Sequence, residues 1–97
     1  MELLEEVKNY LDITWQTTSE EDKKLIGMIE RGKAALSGKL GLCDFEKETQ
    51  EKTLLFNCVM YERSGALDEF WKNYREEIIS LRLRKRVQRH EAEKQKI

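Results

Sequence analysis

The sequence predicts an all-α fold: a small bundle of about four helices, with a helical corner at Ser64-Gly65 and a basic C-terminal tail. Three observations predict it. Proline is absent from the 97 residues and charged residues make up 38% of them, a composition that suits helices with solvated outer faces. Apolar residues return every three or four positions in four separate stretches, the period of a helix that buries one face. Start and stop residues stand between those stretches, Thr18 to Asp22 before one and Ser64-Gly65 after another.

The first helix is "ELLEEVKNYL". Leu3, Leu4, Val7, Tyr10 and Leu11 share one face, and Glu2, Glu5 and Glu6 sit near the N-terminal end, where the helix dipole favours acids. "DITWQTTS" then breaks the period, because Ile13, Thr14 and Trp15 are poor helix formers. It reads as an extended connection that pins Trp15 against the core. A second helix opens on a capping box, either Thr18 with Glu21 or Ser19 with Asp22. Its inner stripe is Leu25, Ile29, Gly32 and Leu36, flanked by Ile26 and Met28. Gly27 and Gly32 each cost about 1 kcal/mol relative to alanine inside a helix, which points to a close neighbour. Gly38 is the expected C-cap, and "SGKLGL" the loop.

Asp44 is the expected cap of a third helix over residues 45–63. Leu54, Leu55, Cys58, Val59 and Tyr61 make it the most buried of the four. Ser64-Gly65 permits a left-handed stop followed at once by a new start. The fourth helix carries Leu67, Phe70, Trp71, Tyr74, Ile78 and Leu81, and it packs on the third as a hairpin or at a steep crossing. Leu55, Val59, Leu67, Phe70, Tyr74 and Ile78 are therefore the core expected around that corner. After Leu81 the stripe fails. "LRLRKRV" alternates like a strand, so "ISLRL" offers edges for pairing with another chain. "QRHEAEKQKI" has no apolar face; the tail extends the last helix into solvent or stays disordered until it meets a partner.

These boundaries give a helical domain over residues 1–83 and a charged tail over 84–97. A chain this short buries only about 60–65% of its unfolded surface, leaving a modest core and making self-assembly a live option. Net charge is −1, but residues 82–97 hold seven Lys/Arg against two Glu, a local +5 that leaves −6 on residues 1–81. Arg82, Arg84, Lys85, Arg86 and Arg89 are the candidate contacts to a partner, a neighbouring subunit or DNA; the bland reading is a solvated terminus. The tail lacks interleaved aromatics, so sequence-specific DNA reading is not expected.

Catalytic chemistry is not expected either. "GKAALSGKL" resembles a phosphate loop, but five residues separate Gly32 from Gly38, and Leu40 stands where the metal-binding hydroxyl belongs. The single histidine, His90, lies in the charged tail, and the carboxylates alternate with lysines as on solvated helices. No enzyme, cofactor or metal is predicted. Cys43 and Cys58 form no C-x-x-C pair and read as reduced thiols of an intracellular protein, with Cys58 packed as a small hydrophobe. No apolar run approaches a membrane span, and the acidic "MELLEEVKNY" is unlike a targeting segment, so no membrane partner is expected.

"LLEEVKNYLDITW", "EEDKKLIGMIERGKAAL", "DFEKE", "LLFNCVMYERSGALDEFWKNY" and "EIISLRL" stand in an order and spacing that resembles the small head–tail connector (adaptor) proteins of tailed phages and prophages, the YqbG-like family. The resemblance covers roughly residues 1–83. It implies a helical bundle that assembles with copies of itself into a ring, dodecameric in the virion, beneath the portal protein. Such a ring extends the channel through which DNA passes and receives tail-completion or stopper proteins. The role is structural, located at the head–tail interface of the virion and, during assembly, in the bacterial host cytoplasm. Gly65 stands at the corner where the family pattern suggests asparagine, and the basic extension is longer than the family core. The reading from a different class is a small helical DNA-binding or regulatory protein that uses the basic tail on phosphates.

Overall fold

A computed structural model describes residues 2–95, with the side chains of residues 3–88. Five helices follow one another: α1 Glu2–Tyr10, α2 Ser19–Leu40, α3 Gln50–Arg63, α4 Leu67–Asn73 and α5 Arg75–Gln95. The fold is an all-α bundle.

The helix ends show why the chain divides there. α1 stops in a Schellman arrangement, with Ile13 N–H donating to Lys8 O at 2.9 Å and Asp12 N–H to Asn9 O at 3.2 Å. Asp12 takes the left-handed position, φ 58°, which a short polar side chain tolerates. α3 ends in the same way. Ala66 N–H reaches Tyr61 O at 2.8 Å and Gly65 N–H reaches Glu62 O at 3.0 Å, with Gly65 at φ 73°. The corner at Ser64-Gly65 is thus a left-handed stop, and α4 begins two residues later. α2 opens on the first of the two expected capping boxes. Glu21 N–H donates to Thr18 Oγ1 at 3.2 Å, and Thr18 N–H donates to Glu21 Oε1 at 3.4 Å.

Four expectations are corrected. α2 does not stop at Gly38 but runs to Leu40, where Gly41, at φ 87°, donates to Ser37 O at 2.8 Å. Leu40 is buried, and this extra apolar contact carries the helix past the glycine. α3 begins at Gln50 instead of near Phe45. Asp44 closes a local turn by accepting from Glu46 N–H at 3.0 Å, and Phe45 drops into the core from the loop. The fourth helix is two, α4 and α5, separated at Tyr74, although Tyr74 N–H to Phe70 O and Ile78 N–H to Tyr74 O keep the chain coiled there. Trp15 is not pinned to the core. It is 52% exposed and donates Nε1–H to Glu21 at 3.2 Å, while Ile13 takes the buried seat.

The core lies where α1, α3 and α4–α5 close on α2. Leu25, Ile29, Leu36 and Leu40 of α2 meet Leu54, Leu55, Cys58 and Val59 of α3 and Phe70 of α4. Gly32 faces α3 at the point of closest approach. A Cβ there would come within 2.9 Å of Leu55 Cδ1 and 3.6 Å of Cys58 Sγ, so a side chain at this position would force buried Leu55 to shift. Gly27 has no such role, because the nearest atoms to a Cβ there belong to the exposed side chain of Arg31, on its own helix. Phe70 is fully buried among Tyr61, Trp71 and Tyr74, with ring centroids 4.9 to 5.8 Å away. Leu55, Val59, Phe70 and Ile78 are buried around the corner, whereas Leu67 and Tyr74 are half-buried and pack against that core from its edge.

Polar contacts fix how α1 and α2 sit on α3. Lys52 of α3 is buried, with Nζ 2.6 Å from Glu48 and 2.5 Å from Glu6 of α1. Those hydrogen bonds, Glu48 first and then Glu6, hold the ammonium well above its ordinary pKa. Tyr10 donates to Asn57 Oδ1 at 2.9 Å, and Arg31 of α2 reaches Glu62 of α3 at 2.9 Å.

Candidate functional site on the last helix

α5 contains 21 residues, about 32 Å of helix, and contributes to the molecule's longest dimension of 53 Å against 27 and 18 Å in the other two. It runs without interruption through residues 83 and 84, where the sequence suggested that a domain gives way to a tail. The alternating "LRLRKRV" is therefore helical. A helix satisfies its own backbone, so the strand edge expected of "ISLRL" is absent.

The inner side of α5 presents Ile78 and Leu81 to the core and then, one turn further on, Lys85. Lys85 Nζ lies 2.6 Å from Leu42 O, 2.8 Å from Glu51 Oε1 and 3.5 Å from Cys43 Sγ. Burial works against this charge, but the hydrogen bond to Glu51 and the fields of Cys43 and Glu51 together outweigh it, so the pKa lies above the usual lysine value. Arg84 hydrogen-bonds Gln50 Oε1, and Gln50 Nε2 donates to Glu77 Oε1 at 2.7 Å. Two of the predicted contact residues thus already serve the molecule itself. Lys85 ties α5 to the loop after α2, and Arg84 ties it to the start of α3.

Arg82 and Arg86 are placed differently. Both are exposed, and among the described residues neither forms an ion pair. With Lys39 and Lys85 they line a cleft of about 240 Å³ against Gly38 and Gly41. Lys39 also stands 5.1 Å from the ring of Trp71, and a neighbouring cleft is bounded by Lys39, Trp71, Arg75 and Ile78. Arg75, Arg82 and Arg86 recur at helical spacing along one side of α5. Position 89 falls at the same register, though the Arg89 side chain lies outside the described residues. Sequence reading placed this positive surface in the tail alone and missed Lys39 and Arg75. Arg75 was legible at seven residues before Arg82; Lys39 was not, because its place depends on how α2 crosses α5.

The outer side of α5 is apolar. Ile79, Leu83 and Val87 follow one another at four-residue spacing and are 46%, 55% and 57% exposed. That line lies roughly opposite the buried face formed by Ile78, Leu81 and Lys85. The end of α2 and the loop after it enclose an open groove of about 710 Å³. Glu30, Lys33, Asp44 and Glu46 form its polar rim, Phe45 lies beneath, and Leu42 projects at 89% exposure.

The thiols are placed for packing. Burial raises the pKa of Cys58 to about 11 and also raises that of half-buried Cys43, so neither is a ready thiolate. Among the described residues no group of three or more His, Cys, Asp or Glu is arranged to hold a metal ion, and no helix is long and apolar enough to cross a membrane. No family model, no curated protein and no solved structure matches this chain.

Proposed function

We propose that this chain is a structural head–tail connector subunit of a tailed phage or prophage, one that forms a ring with its own copies beneath the portal. The ring extends the DNA channel, receives tail-completion or stopper proteins, and performs no catalysis. The observation that carries the reading is α5. A small helical bundle holds out a long helix whose outer side carries three exposed aliphatic residues, bordered by arginines that form no ion pair among the described residues. An apolar line of that kind suits a protein partner. The order of sequence motifs over roughly residues 1–83 supplies the phage context. The reading places the protein in the virion, with DNA passing through the ring unread.

Particle imaging of the purified chain, alone and mixed with its portal protein, tests this. Rings are expected, at the latest on the portal. A chain that stays monomeric in both samples sinks the reading. The arginines at positions 75, 82 and 86 support a second reading, a small DNA-binding or regulatory protein. In that case the chain binds duplex DNA as a monomer or dimer, with an affinity that falls steeply with salt.

A further inference from the structure

We infer that the outer face of α5 on one copy seats in the groove beside Leu42 on the next copy, so that copies join head to tail. This inference rests on the ring reading above and names the two surfaces that would make the ring.

The two surfaces complement each other in shape and charge. One is convex: the line Ile79, Leu83 and Val87, bordered by Arg82 and Arg86. The other is concave, about 710 Å³, with Leu42 and Phe45 as its apolar part. Three carboxylates (Glu30, Asp44, Glu46) and one ammonium (Lys33) around it leave a net −2. Among the described residues Glu30 and Asp44 have only long ion pairs, 3.7 Å to Lys33 and 3.9 Å to Lys47, so both stay open to a closer cation. Arginine on α5 suits that role, because its planar fork can meet a carboxylate with two hydrogen bonds.

Other occupants fit less well. Nucleic acid would set phosphates against the aliphatic line. Two α5 helices joined antiparallel about a two-fold axis would bring Arg82 and Arg86 of one near the same residues of the other, a like-charge contact. A convex face and a concave face at different places on one chain instead define a heterologous contact, which closes into a ring or continues as a filament. The same geometry explains why Lys85 is spent internally. By gripping Leu42 O and Glu51 it holds the groove's loop against α5, so the donor and acceptor surfaces of one subunit are fixed relative to each other.

A charge exchange tests the inference. R82E/R86E reverses the convex face and E30K/E46K reverses the groove; all four side chains are exposed, and circular dichroism checks that both variants remain helical. In sedimentation over a range of concentrations, wild type self-associates and each variant alone does so at least tenfold more weakly. An equimolar mixture recovers the association, because each reversed face then meets its opposite on the other variant. A fold-neutral control, Leu42→Ser, weakens association without changing charge. If E30K/E46K alone assembles like wild type, or the mixture fails to recover, this interface is wrong while the ring stands. A wild-type chain that never self-associates also overturns the interface. If imaging with the portal then shows no ring, the reading beneath it falls as well.

Discussion

The two long helices are held in different ways. α2 is gripped along its length, with Leu25, Ile29, Gly32, Leu36 and Leu40 buried from its second turn to its last residue. α5 is gripped over its first three turns by Ile78, Leu81 and Lys85, while the opposite side of those same turns shows aliphatic residues to solvent. α2 is therefore a structural spine whose apolar side chains are committed to the fold. α5 has one side committed and one side free. In a chain this small, an aliphatic line kept out of the core is apolar surface the fold does not use, and it is the surface on which the proposed contact between copies rests.

The comparison breaks most sharply at Phe70. Phe70→Ala opens a cavity under the start of α5 and should cost about 3–5 kcal/mol, whereas Leu83→Ala on the outer side should change stability by about 0.5 kcal/mol or less. Denaturant midpoints for the two variants check this; comparable losses would mean that the outer face belongs to the core. Next comes the seam of α2 with α3. Gly32→Val drives a side chain into Leu55 and should cost about 1–3 kcal/mol, while Gly38→Ala, with open space around it, should gain up to about 1 kcal/mol. Thermal melts moving in the same direction for both would contradict the close approach at Gly32.

The turns that set the helices apart are the third target. Gly65→Val places a β-branched residue at φ 73° and should destabilise by about 1–2 kcal/mol, and Gly65→Asn by less. Asp12→Gly should be neutral or slightly stabilising, because Asp12 holds the same left-handed position at the end of α1. Lys85→Met should lower stability by about 1 kcal/mol and speed amide exchange in residues 42–46, where its hydrogen bonds hold the loop. Unchanged exchange there would show that the loop stands without α5.

The smallest effect is one of pH. Asp22 accepts from Thr17 and pairs with Lys8 at 2.9 Å, and these contacts, Thr17 first, lower its pKa below 3.8. A lowered folded pKa means that its stabilisation is complete above 3.8 and fades as the pH falls through the folded value. Asp22→Asn should therefore melt below wild type at pH 7, with the gap closing as the solution is acidified below 3.8. A gap that widens on acidification would have the sign wrong.

Much of this architecture was legible because its causes are local. The capping box at Thr18, the apolar period of α1 and α3, and the left-handed stop at Gly65 each depend on residues a few positions apart. The end of α2 and the start of α3 were misplaced for the complementary reason. Leu40 and Phe45 are buried by residues distant in sequence, and that burial outweighs what Gly38 and Asp44 favour locally. Trp15 went the same way, since Ile13, two residues earlier, fills the space in the core.

The sequence by itself determined that the chain is helical, that it turns a corner at Ser64-Gly65, and that its last stretch is rich in arginine and lysine, because backbone preference, capping and charge are properties of neighbouring residues. Only the tertiary structure decided which of those charges are free. Lys85 and Arg84 are drawn onto Glu51 and Gln50 because α3 lies beneath them, and Lys39 joins Arg82 and Arg86 because the end of α2 crosses α5. Whether a charge is free or paired depends on what packing brings within about 4 Å of it, and residues more than thirty positions apart meet at that distance only once the bundle has closed.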